Sequence, residues 1–230
     1  MNAEGPTVER PLRKDAELNR RRILAAARDL FATEGLAPNL NDVARHAGVG
    51  VGTVYRRFAT KPDLVEAVFA DALDQLTALA ETSLADPDSW RGFTTYLGRM
   101  CEVTATDRGL REIVFSKCYG GERVTAAQDR LAPVVARLVE RTQADGHLRP
   151  EVSHPDMPTF ALLAGSISEF VGHVDDQLWR RYVAILLDGM RNRGDQHRLP
   201  VGPLDDDALD LVMRTWEPSG PPARCRPADG

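Results

Sequence analysis

The stretch that decides the fold runs from Asn39 to Phe58, NLNDVARHAGVGVGTVYRRF. It predicts two short helices joined by a tight turn. Asn39 is a typical helix cap with Asp42 three positions later, and Gly48 permits the positive φ that such a turn needs. In the second helix, predicted over residues 51–58, Val54, Tyr55 and Phe58 lie on one side, and Val54 and Phe58 attach the helix to the first one. The outer face is then left free, and a helix of this kind fits the major groove of DNA.

Both flanks of this stretch also have helical periodicity. Upstream, an apolar face predicts a helix from residue 15 to Gly35, formed by Ile23, Leu24, Ala27, Leu30 and Phe31. Downstream, Thr60 is placed to cap a long helix. Further helical segments follow, at residues 89–106, 109–119, 122–144, 154–174, 178–193 and 205–216. The segment at 109–119 is apolar nearly all round, as expected of a buried helix, and Pro133 predicts a kink or a break in the segment at 122–144. No segment has the pattern of a β-strand, so the predicted fold is all-α.

Four regions follow from this pattern. We expect a flexible arm over residues 1–14, a helix-turn-helix domain over 15–62, a helical regulatory and dimerisation domain over 63–216, and a disordered tail over 217–230. The tail holds four prolines and two glycines.

Composition narrows the functional classes. The chain of 230 residues is 43% hydrophobic and 27% charged, as expected of a globular protein. Its polar start is unlike a secretory signal, its apolar runs are too short to span a bilayer, and its three cysteines lack metal-ligand spacing. We therefore expect a cytoplasmic protein with no membrane association, no metal and no cofactor.

Charge is unevenly distributed along the chain. Residues 1–64 carry 11 Lys and Arg against 8 Asp and Glu, whereas the whole chain has a net charge of −5. A mildly basic N-terminal region therefore precedes an acidic remainder. Local charge, more than net charge, sets the affinity for phosphate, although chance asymmetry would give the same numbers.

The run from Asp42 to Leu64 resembles the DNA-binding pattern of the TetR family of bacterial transcriptional regulators. The matching residues form the pattern DVAxxAGVxxGTVYxxFxxKxxL. The resemblance covers about residues 15–66, and the later ADGHLRP segment at 144–150 is a looser match. It implies a three-helix DNA-binding domain, a helical regulatory domain, a homodimer and a small-molecule effector. Gly50 stands where the family usually has a serine, which removes a side-chain cap from the second helix.

The resemblance assigns roles to the candidate DNA-binding residues. Val51, Gly52 and Arg56 are candidates for base contacts, and Arg56 can bond guanine through two hydrogen bonds. The candidates for phosphate contacts are Asn39, Thr53, Tyr55, Arg57, Lys61 and, with less support, Arg45. Substituting Lys61 by Ala should then weaken DNA binding to about the same extent for every DNA sequence. The alternatives are that Arg56 and Arg57 are solvated helix charges and that Tyr55 is a core residue. Arg10, Arg13 and Lys14 could reach a minor groove or remain solvated.

Aromatic side chains in the middle helices indicate an apolar effector site. The candidate lining residues are Trp90, Phe93, Tyr96, Met100, Phe115, Cys118, Tyr119, Phe160 and Phe170. Arg99, Glu102, Glu169 and His173 are possible polar anchors. Such a lining suits a hydrophobic or aromatic small molecule, while the alternative is a solid core without a cavity.

Wide apolar stripes on the last two long helices predict the dimer interface. One stripe, over 154–174, includes Met157, Leu163, Ala164 and Phe170, and the other, over 178–193, includes Trp179, Tyr182, Val183 and Met190. Two such helices from each subunit would form a four-helix interface.

The predicted function is a ligand-responsive repressor that binds a near-palindromic operator in double-stranded DNA as a homodimer. Alternatives are an activator of the same fold or a regulator without a ligand. An enzyme is not expected, because the chain has no Gly-x-Ser-x-Gly, His-Glu-x-x-His, P-loop or dinucleotide-binding pattern.

Overall fold

The computed structural model describes residues 9–114 and 121–215, and these residues form ten helices and no β-strand. The all-α prediction is confirmed. The helices are α1 Glu9–Glu34, α2 Leu40–Ala47, α3 Val51–Arg57, α4 Lys61–Leu84, α5 Ser89–Thr106, α6 Arg108–Val114, α7 Glu122–Ala144, α8 Asp156–Val171, α9 Leu178–Met190 and α10 Asp206–Thr215. No helix among these residues combines the length and apolarity needed to cross a bilayer.

Helix α1 differs from expectation in where it begins, and helix α7 differs in its continuity. Helix α1 begins at Glu9, so the last six residues of the expected arm are helical, with Pro11 tolerated in the first turn. Helix α7 continues without a break through Pro133. The expected tail at 217–230 lies outside the described residues.

The N-terminal head, which we define as α1 to α3, packs around one core that also receives the start of α4. Ile23, Val43, Val54 and Leu64 are fully buried there. This core continues into α6 and the start of α7 through Leu110, Ile113, Val124 and Ala127. The head is therefore held by the second half of the chain as well as by α4.

A second core lies among α5, α7, α8 and α9, together with the end of α4. Trp179, Val183 and Met190 of α9 are buried in it, as are Met157 and Ala164 of α8. These five residues were expected at a dimer interface, but they pack within their own subunit. Leu163, Phe170 and Tyr182 remain exposed.

Candidate nucleic-acid interface

A left-handed glycine forms the corner between α2 and α3. Gly48 has φ 64° and ψ 34°, and its N–H donates to the carbonyls of Ala44 and Arg45. A Cβ at this position would meet no atom within 4 Å. Glycine is therefore favoured here by backbone conformation alone, because L-residues with side chains rarely adopt positive φ.

The side chain of Asn39 caps α2. Its Oδ1 accepts hydrogen bonds from the backbone N–H groups of Asn41, at 2.8 Å, and Asp42, at 3.1 Å. The Asp42 carboxylate in turn accepts from the Asn39 N–H at 3.0 Å, which completes the capping box. Since Oδ1 is occupied, the amide NH₂ is the group that Asn39 could offer to a phosphate.

Helix α3 buries one side and exposes the rest. Val54 is fully buried, while Val51 is 45% and Tyr55 48% exposed. The interpretation of Tyr55 as a core residue is therefore wrong. Gly50 caps the helix with its backbone only, as expected from the missing serine side chain.

Arg56 and Arg57 are both exposed on α3. The Arg56 guanidinium donates to the Thr53 hydroxyl at 3.3 Å, a long hydrogen bond within the same helix. Gly52, which is also exposed, leaves open space beside them because no atom would lie within 4 Å of a Cβ there. The exposed face of α3 therefore combines the small Gly52 with the solvent-exposed cations Arg56 and Arg57. A base-pair edge can approach such a surface.

Arg45 lies on the neighbouring helix and points into solvent. Its side chain is 80% exposed and forms an ion pair with Asp42 at 2.8 Å. An exposed pair of this kind contributes little to stability, so the guanidinium can exchange partners at low cost.

Lys61 is partly buried and bonds to other residues of the protein, in contrast to the other candidate cations, which are exposed. Its ammonium donates to the carbonyl of Leu36 and, at 3.4 Å, to that of Ala37. Burial is the main cause that lowers the pKa of Lys61, opposed by the charges of Glu112 and Asp42. Lys61 therefore ties the first turn of α4 to the loop between α1 and α2.

A contact that sequence analysis missed joins α6 to the same loop. The Glu112 carboxylate accepts from the backbone N–H of Leu36 at 2.8 Å and pairs with Arg108 at 2.9 Å. Beside it, Gly109 lies so close to α1 that a Cβ would be 2.6 Å from Phe31 Cβ. The glycine near the start of this short helix was the one signal of this close approach in the sequence.

Helix α6 is also attached to the other helices. Arg111 donates to the last-turn carbonyls of α5, Thr104 at 3.1 Å and Ala105 at 2.7 Å. From α8, the Ser168 hydroxyl donates to the Ala105 carbonyl at 2.7 Å. The short α6 therefore links α5 to the head, and α8 is joined to the same end of α5.

The expected effector residues fall into three groups. Phe93, Tyr96 and Met100 are buried in the second core, and burial raises the pKa of the Tyr96 phenol. Trp90 and Phe160 are partly buried against this core, with the Trp90 ring 5.8 Å from that of Phe93. Phe170 is 80% exposed near the end of α8 and does not join them.

Three further candidates, Phe115, Cys118 and Tyr119, lie outside the described residues. Within the described ranges, no three His, Cys, Asp or Glu side chains are grouped so that they could hold a metal ion.

Two family models match the chain. Residues 23–68 match the model described as bacterial regulatory proteins, tetR family. Residues 86–192 match the model of the C-terminal domain of SbtR-like transcriptional regulators. The first match contains α2, α3 and the turn between them, and the second ends shortly after α9.

Proteins that are similar to this chain in sequence or structure are also described as transcriptional regulators. A TetR transcription regulatory protein from Mycobacterium vanbaalenii is 33% identical, with a TM-score of 0.59, and the match covers 79% of this chain and 99% of that one. A TetR transcriptional regulator from Streptomyces coelicolor is 27% identical, also with a TM-score of 0.59, over 76% of this chain and 99% of that one. An HTH-type transcriptional regulator of Staphylococcus aureus is 36% identical over 84 residues, which cover 36% of this chain and 44% of the relative. The match thus spans less than half the length of that curated relative.

Proposed function

This chain belongs to the TetR family of DNA-binding transcriptional regulators, and we propose that it is a repressor which binds a near-palindromic operator as a homodimer. The observation that carries the proposal is the exposed face of α3. Arg56 and Arg57 stand there in solvent beside Gly52, while Val54 holds the helix to the head. A short helix anchored on one side and cationic on the other is suited to the major groove.

The proposed contacts divide into base-directed and phosphate-directed groups. Val51, Gly52 and Arg56 face base edges, with Arg56 placed to bond guanine. Phosphates are contacted by the side chains of Asn39, Arg45, Thr53, Tyr55 and Arg57, which set the position of the head without specifying sequence. Lys61 contributes mainly by holding the α1–α2 loop, through the carbonyls described above. In this proposal residues 15–62 bind DNA and residues 63–216 regulate the binding.

An exposed apolar row on α8 and α9 supports the homodimer. Leu163 is 41%, Phe170 80%, Tyr182 42% and Ile185 55% exposed. Soluble proteins seldom leave such residues together in water unless a partner covers them. A second copy of α8 and α9 would do so, and each dimer would present two heads to two half-sites.

Effector control would act through α6. An effector bound among the regulatory helices would favour a position of α6 in which the heads no longer match successive major grooves. DNA affinity then falls by the difference in the effector's affinity for the two states. A hydrophobic or aromatic effector is consistent with the apolar surroundings of α5 and α8.

The test is selection of bound fragments from a random DNA pool, followed by titration of the selected site. We expect an inverted repeat, binding at nanomolar concentrations, and a large loss of affinity when one half-site is scrambled. Enrichment of no sequence at low salt would overturn the proposal. A reporter gene downstream of the selected site separates repression, which we expect, from activation.

A further inference from the structure

A groove of about 350 Å³ lies between α5 and α9. Its α5 side is formed by Gly98, Arg99 and Glu102 among others, and its α9 side includes Trp179, Arg180 and Val183. None of these residues belongs to the exposed face of α3 or to the apolar row on α8 and α9.

The floor of the groove is apolar and aromatic. Trp179 is 2% and Val183 6% exposed. The guanidinium carbon of Arg180 lies 4.5 Å from the centre of the Trp179 ring, a cation–π arrangement. Among the described residues, the buried indole Nε1 of Trp179 has no hydrogen-bond partner.

The rim carries more positive than negative charge. Arg99 donates to one oxygen of Glu102 at 2.7 Å, and Arg180 donates to the other at 2.6 Å. Both arginine side chains are more than half exposed, at 57% and 53%. The single Glu102 carboxylate therefore accepts hydrogen bonds from two guanidinium groups, and each guanidinium group has five N–H donors. A second carboxylate would complement the remaining charge.

The space between floor and rim is open at Gly98. A Cβ built on this residue would meet no atom within 4 Å, and Gly98 is not among the glycines with positive φ. Glycine is unfavourable inside a helix, and no backbone requirement at this position explains it. Because Gly98 has no side chain, the α5 side of the groove has no side-chain atoms at this position to reduce its volume.

The groove also stays clear of the proposed dimer interface. Ala184 lines the groove, whereas Tyr182 belongs to the exposed apolar row. Residues two positions apart in an α-helix are rotated by about 200° from each other around its axis. The side chains of Tyr182 and Ala184 therefore point to nearly opposite sides of α9.

We propose that this groove binds a small organic anion, namely a carboxylate joined to an aromatic or aliphatic body. The carboxylate accepts from the solvent-facing guanidinium N–H groups of Arg99 and Arg180 that Glu102 does not bond, and the body lies along Trp179 and Val183 above Gly98. The anion is held by two charge-assisted hydrogen-bonding groups at the rim, and its body by the apolar floor. The proposal that such an anion acts as the effector rests on the proposed function; its binding does not.

Calorimetric titration of the full chain without DNA tests the binding. The probes are 2-naphthoate and decanoate, each compared with its neutral counterpart, 2-naphthamide or decanol. We expect at least one acid to bind about tenfold or more tightly than its counterpart, because only the acid carries the charge that Arg99 and Arg180 bond. If neither acid binds, or if acid and neutral counterpart bind equally, the proposal is wrong.

Variants then place the ligand in the groove. Gly98→Phe fills it and should abolish binding, whereas Gly98→Ala should preserve binding. Arg99→Gln combined with Arg180→Gln should weaken acid binding by about tenfold or more. Arg181→Gln, which changes an exposed arginine that does not line the groove, should not. The double glutamine variant changes only exposed side chains, so it remains informative if Gly98→Phe does not fold. Unchanged affinity in the double variant would overturn the proposed site.

Addition of the bound acid to the protein–operator complex tests the effector role separately. Release of DNA from the wild type, but not from the double glutamine variant, is the expected result. Binding of the acid without release would retain the groove as a ligand site and overturn its role as effector site. Failure of the chain to bind any operator would contradict the proposed function and leave the calorimetric result unaffected.

Discussion

Arg56 is the residue on which the specificity of the proposed interface depends most. It is exposed on α3, and its one described side-chain hydrogen bond, to Thr53, spans 3.3 Å within the helix. Such a bond is long for a charged donor and can be exchanged for a base edge. The neighbouring Arg57, also exposed, is proposed to contact phosphate instead.

Arg56→Ala is predicted to weaken binding to the selected operator by about 1–3 kcal/mol and to relax the preference at one base-pair position. The measurement is titration of the operator and of every single-base variant of it. Arg57→Ala is the matched control, with a similar loss on all sequences. Equal losses on operator and random DNA for Arg56→Ala would refute base recognition by this residue.

Lys61→Met is predicted to lower the free energy of unfolding by about 1–3 kcal/mol, because charged hydrogen bonds to the Leu36 and Ala37 carbonyls are lost. Methionine keeps most of the aliphatic stem. The loss is measured by urea denaturation. Arg45→Met, which removes only an exposed ion pair, should change stability by less than about 0.5 kcal/mol. A Lys61 variant as stable as the wild type, but with uniformly weaker DNA binding, would restore the simple phosphate role.

At the scale of elements, the short helix α6 contacts both the head and α5. It approaches α1 at Gly109, bonds the α1–α2 loop through Glu112 and caps α5 through Arg111. Movement of this helix therefore cannot leave the head unaffected. The two helical glycines Gly109 and Gly98 illustrate how packing decides the effect of the same residue type.

Gly109→Ala and Gly98→Ala are predicted to have opposite effects on stability. At Gly109 the new Cβ would lie 2.6 Å from Phe31 Cβ and 2.8 Å from its carbonyl oxygen, so α6 must shift. Overpacking of this kind costs about 1–3 kcal/mol. At Gly98 the Cβ enters open space, and alanine should stabilise α5 by about 0.5–1 kcal/mol.

Urea denaturation of both alanine variants and the wild type provides the measurement. If Gly109→Ala is as stable as the wild type, then α6 does not pack tightly on α1 and the proposed coupling route through α6 loses its basis.

At the scale of the whole molecule, the described residues form two cores and leave an apolar row on α8 and α9 exposed. The first core joins the head to α6 and the start of α7, and the second joins α5, α7, α8 and α9. The row on α8 and α9 lies outside both. If a second copy covers this row, as proposed, then stability, head spacing and DNA affinity are all expected to depend on that copy.

Ile185→Asp is predicted to convert the proposed dimer to a monomer, because a charge would be buried without a partner in the proposed interface. Sedimentation velocity over a range of protein concentrations measures this change. The monomer should also bind the full operator no better than a half-site. Val201→Asp is the control, since Val201 is 77% exposed and lies outside the row. A dimeric Ile185→Asp protein would exclude this face as the interface.

The sequence by itself determined most of the helical segments, the caps of α2 and α4 and the outward face of α3, because these depend on residues close together in the chain. The capping box of Asn39 and Asp42 spans three residues, and periodicity is sufficient to place Val54 inside and Arg56 outside. Only the tertiary structure decided what each apolar face meets. Periodicity predicts that Trp179 is covered, but not whether its own subunit or a second copy covers it. Likewise, the contacts of Lys61 and Glu112 with Leu36 join residues 25 and 76 positions apart, and no local pattern encodes such distances.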